Sequence, residues 1–324
     1  MTVGDPAFAP LWDAPADPAL ALLFPGQGSQ QVGMGRELYE SSPAARRLME
    51  AAEAALGFPL LRLMFEGPAE ELTDTANAQP AIFVVSLACL AAALESGALG
   101  RRPAFVAGHS LGEYTALVAV GALPFREALA LVRRRGELMA RAGRERPGTM
   151  AAIIGLDEGR LEALCREVGA QVCNYNCPGQ TVIGGTTAAV AAAVARAKAL
   201  GAKAVPLRVS AAFHTDLMAP AAAPLAEAIE AAPLADARLP VVGNACARPL
   251  LTAADLRREL KEQLTSPVRW RQSLEAMAAA GAARFLEAGP GGVLTGLVRR
   301  TLPDAQALCL DGPASLQELR AWWT

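Results

Sequence analysis

Apolar positions along this 324-residue chain follow two periods, near two and near 3.6 residues, and their alternation predicts a layered α/β protein. A short apolar run at 19–24 predicts a buried strand. Spacings of three and four then predict helices at about 43–57, 79–97, 111–120 and 124–142. After residue 146 the pattern changes. Strand-like runs at 150–156, 171–176, 181–184 and 202–209 are interleaved with helices at 157–168 and 187–200. That β-α-β-β-α-β order describes a ferredoxin-like subdomain. Beyond it, strands at 240–243, 284–287 and 307–310 alternate with helices at 253–264, 267–280 and 292–301. The expected organisation is a hydrolase-like parallel-sheet core from 18–145 and 209–324, with the ferredoxin-like subdomain inserted at 146–208. Residues 1–17, rich in Pro, Ala and Asp, read as a poorly ordered leader.

Composition narrows the classes. With 52% hydrophobic and 19% charged residues, the chain can bury a large core and is not disordered. A formal net charge of −2 gives no general attraction for nucleic acid or an anionic membrane. The longest apolar stretch, 81–94, is shorter than a bilayer span and includes Ser86, so it reads as a buried helix. The N-terminus shows no basic segment followed by an apolar one, so no secretory signal is expected. The six cysteines lie in scattered apolar contexts. Cys173 and Cys177 are four apart without a histidine or second pair, which favours free thiols in a cytoplasmic protein over zinc.

Chemistry concentrates at Gly108-His109-Ser110-Leu111-Gly112. An apolar run precedes this Gly-flanked serine and a helical pattern follows, the arrangement of a nucleophile elbow and of serine acyl-transfer chemistry. A serine needs a base, and the chain has only two histidines. His109 adjoins Ser110 on a tight turn where consecutive side chains diverge. His214 is therefore the expected base, the alternative being a structural histidine. Asp216 or Asp311 could complete a triad, or a backbone carbonyl could hold the imidazole instead. Leu111, following the serine, offers an oxyanion N–H. Gln27, in the loop Pro25–Gln30 after the first strand, offers a second. That loop is no dinucleotide fingerprint, because the third glycine would fall at Gln31.

Arg135 is placed by helix geometry. At 100° per residue, Ala128, Leu131, Val132, Leu138 and Met139 form one stripe, and Arg135 sits at its centre. A charge on a core-facing stripe needs an opposite partner. An internal carboxylate and a substrate carboxylate, bound in bidentate fashion, both satisfy that need.

Together these residues resemble malonyl-CoA:acyl-carrier-protein transacylases of fatty-acid synthesis and the discrete acyltransferases of polyketide synthases. The resemblance spans about 20–312. It rests on Leu23–Gln30, Gln79-Pro80-Ala81, Gly108–Glu113, Asn174–Gln180, Phe213-His214, Pro267–Trp270 and Gly289-Pro290-Gly291. It implies Ser110 as acylated nucleophile, His214 as base, and Arg135 as the residue holding the free carboxylate of malonate. It further implies an oxyanion hole of Gln27 and Leu111 amides and a backbone carbonyl near Gln263 orienting the histidine. His109 and Gln79 would line the pocket. Phe213 would crowd an α-methyl group, making malonyl the expected substrate. The implied partners are malonyl-CoA and an acyl carrier protein bearing phosphopantetheine, with no metal or redox cofactor and a monomeric enzyme. The competing possibilities are transfer of another carboxylated extender unit, a proofreading acyl hydrolase, and a non-catalytic docking module.

Overall fold

The computed structural model describes residues 6–207, 209 and 211–323. Among the described residues, ten strands form two sheets: β1 (Ala16–Phe24), β2 (Arg102–Gly108), β3 (Thr149–Ile154), β4 (Gln171–Cys177), β5 (Gln180–Gly185), β6 (Lys203–Pro206), β7 (Val241–Val242), β8 (Pro249–Leu250), β9 (Arg284–Ala288) and β10 (Gln306–Leu310). The larger sheet has the order β10-β9-β1-β2-β7-β8. It is parallel except for the final β7–β8 pair.

Period-two alternation on β1 explains why this sheet carries helices on both faces. Leu20, Leu22 and Phe24 enter one core with the helices Thr75–Glu95 and Phe125–Glu145. Ala21 and Leu23 enter a second, with Trp270–Ala279 and Val293–Thr301. The Thr75–Glu95 helix is long and apolar enough to cross a membrane, yet its apolar stretch is 94% buried inside the molecule. It is a core helix, starting four residues before the apolar period suggests because Asp74 caps Ala76 N–H. Pro80 inside it removes the N–H that would bond the carbonyl of Ala76. Arg133 supplies the missing donor at 2.8 Å.

The smaller sheet is antiparallel, in the order β4-β5-β3-β6, and the helices Glu158–Val168 and Thr187–Ala199 connect its strands. This is the ferredoxin-like arrangement. Ala151, Ile153 and Ile183 face those two helices, whereas Met150, Ala152 and Val182 turn towards the main core and the cleft between the sheets. Backbone bonds Tyr175 N–H to Val268 O and Val268 N–H to Cys173 O, at 2.9 and 2.8 Å, fasten β4 to the core.

Several elements differ from expectation. Within the supposed leader, residues 1–5 lie outside the described residues, but Ala9–Asp13 is helical and β1 already starts at Ala16. Phe8 and Leu11 are wholly buried and Trp12 donates its indole N–H to Ala119 O at 2.8 Å. The Pro and Ala content hid these three anchors. The strand expected at 202–209 stops at Pro206; Arg208 and Ser210 lie outside the described residues. Helices at Arg36–Ser41, Leu60–Glu66, Ala69–Thr73, Ala219–Ala231 and Pro313–Trp322 were not expected. Three are too short to establish a period, and prolines in Ala219–Ala231 and at the start of Pro313–Trp322 mask theirs.

Candidate active site

The loops after β1, β2 and β7 converge because those strands are neighbours and parallel. Ser110 follows β2 with φ of +52°, a left-handed conformation that costs a non-glycine residue energy and persists only when its surroundings enforce it. The flanking glycines are needed for space. A Cβ on Gly108 would lie 1.9 Å from Gly112 C, and one on Gly112 would lie 2.1 Å from Phe24 O. The helix Gly112–Ala119 can therefore start hard against β1.

Ser110 Oγ lies 2.7 Å from His214 Nε2. On the far side of the ring, Nδ1 donates to the Gln263 carbonyl at 2.9 Å, which leaves Nε2 as the acceptor for the serine proton. No carboxylate occupies the third position. Asp216 is exposed and bonded to Gln171, and Asp311 is exposed beside Ser315. His214 is itself at φ +60° and 4% exposed. Burial, reinforced by the positive charge of Arg135, pushes its pKa down to about 3, so the imidazole is neutral at ordinary pH, with Nε2 free to accept a proton.

Arg135 is 1% exposed. Its guanidinium donates to Gln79 Oε1 at 2.7 Å, Gln263 Oε1 at 2.9 Å and Ser110 Oγ at 3.0 Å, and it lies over the Tyr114 ring at 5.3 Å. Among the described residues it forms no ion pair with Asp or Glu, and its Nε has no partner. Of the two partners open from helix geometry, the internal carboxylate is absent. Arg133 is half-buried and Arg134 exposed.

A cavity of about 490 Å³ joins these groups, lined by Gln27, His109, Ser110, Leu111, Arg135 and Phe213 among others. The backbone N–H groups of Gln27 and Leu111 have no hydrogen-bond partner among the described residues. The Gln27 side chain is held by Thr75 Oγ1 at 2.8 Å. His109 points away from the serine oxygen, its Nε2 3.1 Å from Asn176 Oδ1 and its ring 5.4 Å from Trp270. Burial lowers its pKa to about 4. Gln79 and Gln263 lie behind the cavity as partners of the guanidinium.

Several participants escaped the sequence. The Gln263 side chain, besides its backbone carbonyl, donates to Ser110 O at 2.9 Å and Glu113 Oε2 at 2.5 Å. Glu113 is 1% exposed, and burial followed by repulsion from Glu259 raises its pKa well above the carboxylate range. Its signal was available: it is the one charge in an otherwise apolar helix. Asn176 and Asn244 sit at strand ends, where a polar residue is unremarkable.

A polarised serine, a neutral imidazole, two free amides and an unneutralised guanidinium around one cavity can perform acyl transfer on a negatively charged acyl group. The family model for the acyl transferase domain matches residues 21–311. The chain belongs to that acyl transferase family. This acyl transferase is 47% identical to the malonyl CoA-acyl carrier protein transacylase of Bacillus subtilis strain 168, over 92% of this chain and 95% of the relative. It is 43% identical to the transacylase of the same name from Escherichia coli K12, over 91% and 97%. Among solved structures, the malonyl-CoA:acyl carrier protein transacylase of Xanthomonas oryzae superposes with a TM-score of 0.91 at 40% identity, covering 95% of this chain and 99% of that one. A malonyl-transacylase in complex with its type II polyketide-synthase acyl carrier protein gives 0.90 at 40%, covering 93% and 99%.

Proposed function

We propose that the protein is an [acyl-carrier-protein] S-malonyltransferase, moving malonyl from malonyl-CoA to the phosphopantetheine thiol of an acyl carrier protein. The carrying observation is Ser110 Oγ, held at once by the His214 Nε2 and by Arg135, a buried cation without a carboxylate. Ser110 attacks the thioester carbonyl as its proton passes to His214 Nε2. The Gln27 and Leu111 N–H groups meet the developing oxyanion, and the C–S bond breaks as His214 returns the proton to CoA sulfur. The carrier thiol then gives its proton to His214 and attacks the malonyl ester carbonyl; the C–Oγ bond breaks and the proton returns to Ser110 Oγ. Every bond and proton is accounted for by groups of a single chain, so the scheme requires neither a cofactor nor a second subunit. As a separate part of the proposal, the enzyme is a cytoplasmic monomer.

Arg135 turns towards the malonyl carboxylate on binding, exchanging Ser110 for a charge-assisted pair. Phe213, 6% exposed at the cavity wall, opposes an α-methyl branch, an effect of about 1–3 kcal/mol. Close relatives named for malonyl transfer support the acyl group and acceptor. The test is intact-mass analysis after mixing with malonyl-CoA, with carrier protein or water as second acceptor. A malonyl adduct on Ser110 that passes to holo carrier protein is expected. An adduct lost to water equally fast would make the protein an acyl hydrolase, and no adduct would overturn the assignment.

A further inference from the structure

The left-handed Ser110 has to be held from outside the turn: Gln263 bonds its carbonyl at 2.9 Å, and Asn244 grips the turn at two further points. Asn244, two residues beyond β7, is fully buried. Its Oδ1 accepts the Ser110 N–H at 2.6 Å and its Nδ2 donates to the Gly108 carbonyl at 2.7 Å. Only one orientation of the amide satisfies both, since the first partner is a donor and the second an acceptor. The Asn244 backbone is tied down as well. Its carbonyl accepts from Arg269 N–H at 2.9 Å. The carbonyl and both ends of the side-chain amide are thus committed, the amide wholly to the elbow.

We propose that Asn244 is the positioning residue of the nucleophile. Its amide clamps the backbone on both sides of His109, fixes Ser110 at positive φ, and so directs Oγ at the base. By engaging the serine's own N–H from below, it also leaves the next amide, Leu111, as the free donor facing the cavity. An amide is required because the clamp joins a donor and an acceptor two residues apart. Misplacing a reacting atom by about 1 Å costs on the order of 10²-fold in rate. The proposal rests on Ser110 being the acylated nucleophile.

Single-turnover rapid quench with malonyl-CoA separates rate from competent fraction. In Asn244→Ala and Asn244→Asp, the rate constant for adduct formation on Ser110 should fall by about 10²-fold while the final adduct amplitude stays near that of the wild type. KM for malonyl-CoA should change little, since Arg135 and the cavity wall are untouched. A reduced amplitude with an unchanged rate constant, or failure of both variants to fold, would show Asn244 to be a structural residue and overturn the proposal. Failure of the wild type itself to form the adduct would instead remove the functional assignment beneath it.

Discussion

Arg135 carries its charge where a charge is costly, and its present partners are neutral oxygens. Two glutamine amides and a serine oxygen bond its terminal nitrogens without cancelling the charge, leaving attraction for an incoming anion. Truncating one partner of a buried charge pair costs about 2–5 kcal/mol. Arg135→Ala should therefore lower kcat/KM for malonyl-CoA by roughly 30-fold or more, while acetyl-CoA, which has no carboxylate, is used as well as or better than before. Steady-state kinetics with both donors checks this, and an unchanged malonyl preference would refute the assigned role. Arg135 was legible because one charged residue broke an apolar stripe. Asn244 was not, because its partners lie 134 and 136 residues away and no local pattern encodes such a contact.

At the scale of elements, the long helices were legible because their periods extend over several turns, and the ferredoxin-like order because each strand is bounded by turn residues. Their ends were less so. The Thr75–Glu95 helix begins at a cap that hydropathy does not register, and the Ala219–Ala231 helix contains Pro224. The junction of β1, β2 and the helix Gly112–Ala119 was legible as a motif but not as a packing problem. Gly112 is not there for flexibility: its Cα faces the Phe24 carbonyl, where a methyl would sit 2.1 Å from oxygen and 2.9 Å from Pro25 O. Backbone on both sides leaves no flexible group to yield. Gly112→Ala should force the helix away from β1, at a cost of about 4 kcal/mol or more, in the range reserved for severe core disruption. A lowered urea midpoint, with lost Ser110 acylation in the protein that remains folded, is the expected result; wild-type stability would refute the packing argument.

In the whole molecule, sheet order does what sequence cannot announce: β1 and β7 flank β2, so Gln27, Ser110 and Asn244 meet although they are far apart in the chain. Enclosing that junction keeps both histidines as neutral rings, His214 buried and His109 half-buried, and stability must then depend on pH. Unfolded, each imidazole titrates near 6.5, whereas burial holds His109 at about 4 and His214 at about 3. Between those values the unfolded chain binds the extra protons, so these sites contribute stability fully above about pH 6.5 and lose it as pH falls. Each adds a slope of up to about 1.4 kcal/mol per pH unit. Glu113 and Glu287, raised chiefly by burial, act oppositely: their folded forms keep protons that the unfolded chain releases, so their contribution is lost as pH rises through the folded pKa. The opposing slopes overlap above the ordinary carboxylate range and offset one another there. Below about pH 4.5 these two carboxylates are protonated in both states, and the histidines act unopposed by them. The urea midpoint should accordingly fall most steeply between about pH 4.5 and 4. His109→Gln, which cannot titrate, should remove roughly half to three-quarters of a proton from that slope. An unaltered slope in this variant would mean that the ring is already protonated in the folded protein.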